Sequence, residues 1–126
     1  MKVLIESHVA TLNGCTFCLD LVQAVALRRN PDLQQKLGRL DAYRTDSLFS
    51  ARERAALAYV ESIAREHRVD DVTFAALRRH FDDAEIVEIT WVNALEQYFN
   101  AINVGLGIGS DGFCALPEPG AMQRRA

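Results

Sequence analysis

The chain has 126 residues, of which 49% are hydrophobic and 25% are charged, the ordinary composition of one soluble globular domain. This composition argues against disorder, collagen and repeat arrays. The formal net charge of -3 argues against a general binder of nucleic acid or anionic membranes, because such proteins present a basic surface.

No segment approaches the roughly 20 consecutive apolar residues that a membrane-spanning helix needs. The apolar residues 3–5 are followed by Glu6, which interrupts them before a signal-peptide core can form. We therefore predict a cytoplasmic protein that does not associate with membranes.

Helix signals recur along the chain, whereas no segment shows the clean alternation of a strand. Gly14 suits a helix end, Pro31 suits a first turn, and Ser50 with Glu53 forms a capping box. The predicted helices cover, approximately, residues 3–12, 15–29, 31–40, 51–67, 71–81 and 83–104. The predicted fold is all-α, an orthogonal bundle of about six helices spanning residues 1–106, followed by a tail of residues 107–126.

The longest predicted helix has more apolar residues than one buried face can hold. On a helical wheel its predicted core arc contains Val87, Trp91, Ala94, Leu95, Tyr98, Ala101 and Ile102. Four further apolar residues fall outside that arc, namely Ile86, Ile89, Val92 and Phe99. Two buried faces are therefore predicted, and the second is either covered by the same domain or a subunit interface. A polar stripe of Thr90, Asn93 and Gln97 bridges packed helices or lines a small-molecule pocket, and we favour packing.

Two of the three cysteines, Cys15 and Cys18, form a close pair at the start of the second predicted helix. Backbone amides at a helix start stabilise a thiolate, and a second sulfur can attack a mixed disulfide or sulfenic acid formed on the first. Redox chemistry is favoured over half of a metal site or simple core cysteines. Because His8, His67 and His80 lack the paired spacing of a zinc motif, no metal is predicted.

The C-terminal segment contains two further patterns. Residues 107–112 match the glycine spacing of a dinucleotide-binding loop, but they follow a predicted helix rather than a strand. We interpret the match as chance and predict no cofactor. Cys114 is expected to be a free thiol rather than an additional resolving cysteine.

Three segments together resemble the carboxymuconolactone decarboxylase family, and more closely its alkyl hydroperoxidase D-like branch. They are NGCTFC at residues 13–18, FAALRRHF at residues 74–81 and DAEIVEIT at residues 83–90, and the similarity extends over residues 3–106. The resemblance implies an all-helical fold, homo-oligomers from dimers and trimers to hexamers, and peroxide reduction through the cysteine pair. It also implies that Cys18 is the attacking thiolate, that Cys15 resolves the sulfenic acid, and that an external dithiol reduces the disulfide.

The chain departs from the redox branch at two proton-handling positions. The histidine four residues after the second cysteine is replaced by Val22, and the glutamate twelve residues before the first is replaced by Val3. Val25 and Ala26 continue the apolar face, and apolar surroundings raise the pKa of a thiol.

Glu6 is the best substitute that the sequence offers for these missing groups. On the wheel it lies about 60° from Val3, whereas His8 lies about 140° away. We therefore predict Glu6 as a catalytic residue beside the two cysteines, with an exposed, uninvolved glutamate as the alternative. His8 is predicted at the surface or a subunit contact, and Asp20 and Gln23 are predicted to be solvated.

The sequence thus favours a thiol antioxidant protein of the alkyl hydroperoxidase type. Its partners would be a hydroperoxide substrate, an external dithiol reductant and further copies of the same chain. One alternative is a carboxymuconolactone decarboxylase-like enzyme acting on a small carboxylated lactone. Another is an oligomeric scaffold without catalytic activity, in which the cysteines are relics.

Overall fold

A computed structural model describes residues 1–27 and 30–112 of the chain. Six α-helices and one 3-10 turn account for its secondary structure, and no strand occurs in this part of the chain. The helices are α1 (Lys2–Asn13), α2 (Thr16–Leu27), α3 (Pro31–Leu37), α4 (Ala51–Glu66), α5 (Asp71–Arg78) and α6 (Asp83–Gly105). The 3-10 turn is Leu40–Ala42. The predicted all-α fold of about six helices is confirmed.

Helix ends follow the capping signals in the sequence. The Ser50 hydroxyl accepts a bond from the Glu53 amide, and the Glu53 carboxylate accepts one from the Ser50 amide, which confirms the capping box. Asp82 and Glu85 form the same reciprocal pair at the start of α6. Gly14 ends α1 with φ of 69°, a left-handed conformation that glycine adopts without steric cost.

Helix α1 lies at the centre of the bundle and packs against α2, α4 and α6. One buried cluster joins α1, α4, α5 and α6 through Ile5, Val9, Ala56, Tyr59, Val60, Leu77, Phe81, Ile86, Ile89 and Val92. A second joins α1, α2, α3, the 3-10 turn and α4 through Leu4, Ala26, Leu37, Leu40, Tyr43, Phe49 and Leu57. Helix α1 contributes Leu4 to one cluster and Ile5 and Val9 to the other, and the cysteine pair follows directly after its C-terminal end.

The prediction for the buried face of α6 was wrong. The buried residues are Ile86, Ile89, Val92, Asn93, Glu96 and Asn100. Most of the predicted core arc is exposed, including Val87 (67%), Trp91 (61%) and Tyr98 (60%). The helical-wheel prediction considered only apolar side chains. The buried side of α6 also carries polar side chains that form hydrogen bonds with one another and with α1.

His8 is buried in the bundle, so its prediction as a surface or subunit-contact residue was also wrong. Only 5% of it is exposed, and its Nε2 lies 3.4 Å from a carboxylate oxygen of Glu61 on α4. Its ring also meets that of Tyr43 edge-on, with centroids 5.0 Å apart. Since the Tyr43 hydroxyl donates a 2.6 Å bond to the same Glu61 oxygen, the three side chains connect α1, α4 and the segment after the 3-10 turn.

This cluster makes stability depend on pH. Burial lowers the pKa of His8 below its usual value, and the Glu61 carboxylate offsets that effect only in part. A histidine that is harder to protonate in the folded state destabilises the fold as pH falls below its unfolded pKa of about 6.5.

We expect the free energy of unfolding of the native chain to fall relative to that of His8→Gln as pH decreases from about 7 to about 5. Glutamine keeps a donor near Glu61 and cannot be protonated, so the difference between the two proteins isolates the histidine. Urea unfolding followed by far-UV circular dichroism measures it. Parallel pH profiles for the two proteins would contradict this account.

Candidate functional site

Cys15 occupies the junction between α1 and α2. Its amide donates to the Ala10 carbonyl at 2.9 Å, and its carbonyl accepts from the Leu19 amide at 3.0 Å, so it caps the start of α2. The amide of Cys18, in the first turn, donates to the sulfur of Cys15 at 3.3 Å. The thiol of Cys15 therefore takes the place of a usual capping hydroxyl, where the helix dipole favours negative charge.

The structure brings Cys15 and Cys18 together, with their sulfurs at bonding distance and their Cα atoms 5.3 Å apart, a separation typical of disulfides. The two sulfurs have different surroundings. Both cysteines are buried, with exposures of 1% for Cys15 and 5% for Cys18, and both pack in a small cluster with Ala10, but only Cys18 lines the adjacent pocket.

The pocket has a volume of about 250 Å³ and lies between α2 and α6. Its lining is mostly apolar and contains Phe17, Cys18, Leu21, Val22, Glu96, Phe99 and Asn103. None of these residues is a lysine, arginine or histidine. A small, largely uncharged molecule fits these walls best, and the two polar side chains from α6 provide its hydrogen-bonding partners.

Asn103 contacts the cysteine pair directly. Its Nδ2 donates to the sulfur of Cys18 at 3.3 Å, and such a donor favours the charged form of a thiol. The Ile108 amide donates to the Asn103 carbonyl at 2.8 Å, which holds the end of α6 in place.

Glu96 is the buried carboxyl of this pocket, with 6% of its surface exposed. Burial raises its pKa, and the charge of Glu6 raises it further, while a 2.6 Å bond from Asn100 partly offsets both effects. Asn13 donates to Asn100 in turn at 3.0 Å. A chain of hydrogen bonds thus runs from the pocket to the segment just before Cys15.

Sequence reasoning missed both Glu96 and Asn103. A signal was present, because Asn93, Glu96, Asn100 and Asn103 follow one another at spacings of three and four residues on one face of α6. The sequence analysis singled out a different polar stripe on α6, which starts at Thr90 and shares Asn93 with this face. Part of that stripe joins packed helices, because the Thr90 hydroxyl is hydrogen-bonded to the hydroxyl of Tyr59 on α4 at 2.8 Å.

Glu6 lies beside the Cys18 pocket rather than in its lining. It lines an adjacent groove that shares Leu21 and Val22 with the pocket, and its carboxylate is 3.8 Å from the Lys2 ammonium. Burial raises the pKa of Glu6, and Lys2 partly counteracts this. Glu6 is close enough to the pocket for its negative charge to raise the pKa of Glu96.

Asp20 is buried, contrary to the prediction that it is solvated. Only 6% of it is exposed, and it accepts a 2.8 Å bond from the Ser110 hydroxyl. This bond holds the segment after α6 against α2, two residues after Cys18. Cys114, predicted as a free thiol, lies outside the described residues.

No protein-family model matches the chain. Two curated relatives are each 29% identical to it and are both named as uncharacterized proteins. YnjA of Escherichia coli (strain K12) matches over 119 residues, which are 94% of this chain and 65% of YnjA. YdfG of Bacillus subtilis (strain 168) matches over 108 residues, 84% of this chain and 73% of YdfG. In residues 1–27 and 30–112, no helix is long and apolar enough to cross a membrane.

Several solved structures have a fold similar to that of this chain. A protein of unknown function from Agrobacterium tumefaciens, named as a candidate antioxidant defence protein AhpD, superposes with a TM-score of 0.79 at 29% identity and covers 86% of this chain and 75% of its own. A peroxidase-related protein from Silicibacter sp. TM1040 gives 0.72 at 25% identity, over 82% of this chain and 55% of its own. The debrominase Bmp8 gives 0.79 at 22% identity, over 90% and 62%, which shows the fold alone. The chain therefore has the all-helical, AhpD-like fold of these proteins.

Proposed function

We propose that this chain is a thiol peroxidase of the alkyl hydroperoxidase D-like branch of the carboxymuconolactone decarboxylase family, acting as a cytoplasmic homo-oligomer. The observation that carries the proposal is the asymmetry of the cysteine pair. Cys18 lines a pocket, whereas Cys15, with its sulfur at bonding distance from that of Cys18, does not. The two AhpD-like and peroxidase-related structural neighbours support it.

The cycle begins when the Cys18 thiolate attacks the terminal oxygen of a hydroperoxide. The O–O bond breaks, the peroxide is reduced to an alcohol, and the sulfur is oxidised to a sulfenic acid. The Cys15 thiolate then attacks this sulfur, the S–O bond breaks, and water leaves as the disulfide forms. One thiolate of an external dithiol attacks Cys18, and Cys15 departs as a thiolate that the Cys18 amide stabilises. The second thiol of the reductant then attacks the mixed disulfide, which releases the Cys18 thiolate and leaves the reductant as a disulfide.

Glu96 supplies the proton acceptor that the sequence lacks at Val3 and Val22. Its carboxyl lines the same pocket as Cys18, and burial brings its pKa closer to neutrality, where a carboxylate is a better base. Asn103 stabilises the thiolate by donating to its sulfur. Glu6 contributes through its charge, which raises the pKa of Glu96.

The pocket favours this reaction over action on a carboxylated lactone. Among the described residues its lining holds a carboxyl group and no cation, so an anionic substrate would meet like charge in an apolar site. An uncharged organic hydroperoxide loses little hydration there and can contact Phe17, Leu21 and Phe99 through its apolar part.

Stoichiometric peroxide added to the reduced chain is expected to produce the Cys15–Cys18 disulfide, observable by mass spectrometry of the intact protein and its peptides. A Cys114→Ser background removes the third thiol. In that background Cys15→Ser is expected to stop at a sulfenic acid on Cys18 that dimedone traps, and Cys18→Ser is expected to leave Cys15 reduced. The proposal is lost if both cysteines stay reduced in a folded protein.

Glu96→Gln is expected to slow the reaction of Cys18 with peroxide by about 100-fold at neutral pH, since a positioned base contributes at least that factor. Glutamine retains an oxygen that can accept from Asn100, so the local hydrogen bond survives. Glu66→Gln, which removes an exposed carboxyl on α4, is the matched control and should leave the rate unchanged. Stopped-flow kinetics of the reduced proteins provide the measurement, and equal rates for all three would remove Glu96 from the mechanism.

The same Glu96→Gln change is expected to stabilise the fold at neutral pH. Because the folded-state pKa of Glu96 is raised, ionising it costs stability as pH rises above its unfolded value of 4.5, and glutamine avoids this cost. The difference in the free energy of unfolding between Glu96→Gln and the native chain should shrink as pH falls toward 4.5. Urea unfolding across this range tests the expectation, and a variant less stable than the native chain at neutral pH would contradict it.

A further inference from the structure

A second cavity adjoins the Cys18 pocket along helix α2. It is the groove that contains Glu6, with a volume of about 280 Å³, and we refer to it as the α2 groove. Its lining consists of Lys2, Val3, Glu6, Leu21, Val22 and Val25. Leu21 and Val22 line the Cys18 pocket as well, so the two cavities meet along these side chains.

The face of α2 that borders both cavities is apolar. On a helical wheel, Leu21, Val22 and Val25 all lie within about 60° of Cys18. Cys18 and Val25 are seven residues apart, which corresponds to about 10 Å along the helix. Leu21 and Val25 are 44% and 41% exposed, so a ligand can reach this face from solvent.

Two valines give the groove its apolar character at the positions where the chain departs from the redox branch. Val3 stands at the position of the branch's glutamate, and Val22 stands at that of its histidine. Both valines line the α2 groove, Val3 from α1 and Val22 from α2. A valine favours contact with hydrocarbon where an ionisable side chain would retain water. The loss of the two proton-handling groups therefore creates an apolar surface next to the Cys18 pocket.

We propose that the α2 groove binds the hydrocarbon chain of the substrate, so that the preferred hydroperoxide is a linear, uncharged alkyl hydroperoxide long enough to extend from Cys18 to Val25. This inference rests on the proposed peroxidase function and adds the shape of the substrate. The terminal oxygen meets the Cys18 sulfur and is transferred to it, the hydroperoxide leaves as the corresponding alcohol, and the chain lies along Leu21 and Val22 throughout. Val3, Val22 and Val25 act as specificity residues, because they contact the chain and not the breaking O–O bond.

The charged residues of the groove favour an uncharged chain. The Lys2 ammonium is 3.8 Å from the Glu6 carboxylate, so these two charges already offset one another. A chain that ends in a carboxylate would compete with Glu6 for Lys2 and would approach Glu96, whose carboxyl interacts with the charge of Glu6. A plain hydrocarbon chain leaves this ion pair intact and buries its surface against the valines.

The dependence of Cys18 oxidation on chain length tests the proposal. In a Cys114→Ser background, stopped-flow kinetics compare n-propyl with n-octyl hydroperoxide, which carry the same primary hydroperoxide group. The second-order rate constant is expected to be at least about 10-fold higher for the octyl compound, since each buried methylene contributes a factor of up to about four. Equal rate constants, or a faster reaction of the propyl compound, overturn the proposal.

Val25→Asp separates the groove from the pocket, because Val25 lines the groove and not the pocket. A carboxylate there would lose hydration against the hydrocarbon chain, so the octyl-to-propyl ratio of rate constants is expected to fall to about one. Val72→Asp is the matched control, since Val72 is 81% exposed on α5, and it should retain the native ratio. Far-UV circular dichroism checks that both variants are folded. A native ratio in folded Val25→Asp overturns the proposal.

Binding of an unreactive chain distinguishes a failure of this proposal from a failure of the proposed function. Titration of the oxidised protein with n-octanol is expected to shift the methyl signals of Val3, Val22 and Val25 in carbon–proton NMR spectra, whereas n-propanol at the same concentration leaves them in place. If these signals shift although Cys18 reacts with neither hydroperoxide, the peroxidase function fails while the groove remains a site for an aliphatic chain. If Cys18 reacts with both hydroperoxides and n-octanol leaves the signals unchanged, the groove proposal fails and the peroxidase function stands.

Discussion

The buried side of α6 includes three polar side chains, Asn93, Glu96 and Asn100, while large apolar side chains such as Trp91 and Tyr98 remain exposed. The hydrogen bonds from Asn13 through Asn100 to Glu96 hold the helix in that rotation. Buried polar groups require partners, so turning α6 to bury Trp91 would break these bonds and remove the carboxyl from the pocket. The arrangement has a cost, because Nδ2 of buried Asn93 has no hydrogen-bond partner within residues 1–27 and 30–112. Both the composition of the Cys18 pocket and the exposure of Val87, Trp91 and Tyr98 follow from this one rotation.

The two sulfurs of the pair acquire different chemical characters from their positions in one helical turn. Cys15, as the cap of α2, receives a backbone amide and lies in the interior. Cys18 receives a side-chain amide from Asn103 and borders a pocket. This difference supports the proposed roles, in which Cys15 is the resolving and leaving thiolate and Cys18 is the thiolate that meets substrate.

The proposed proton acceptor comes from a different helix than the usual positions of the family suggest. Val3 and Val22 leave the faces of α1 and α2 apolar near the pair, and Glu96 reaches the same space from α6. Glu6 remains outside the lining and acts on Glu96 by charge. Because Glu6 lies outside the lining, Glu96 remains in an apolar environment, where burial raises its pKa.

Local interactions made much of the fold predictable from the sequence. Caps such as Ser50 with Glu53, and the stop at Gly14, depend on residues within one turn, so the helix boundaries and the placement of the cysteine pair could be read directly. The predictions for His8 and Asp20 failed because their partners, Glu61 and Ser110, are distant in sequence.

The amino-acid sequence by itself therefore determined the helices, their order and the position of the thiols at the start of α2. The tertiary structure alone decided which side of α6 faces inward, which carboxyl shares the pocket with Cys18, and which apolar surface remains exposed. The physical reason is that a wheel measures apolarity along one helix, whereas the buried side is chosen by the hydrogen bonds and packing that several helices satisfy together.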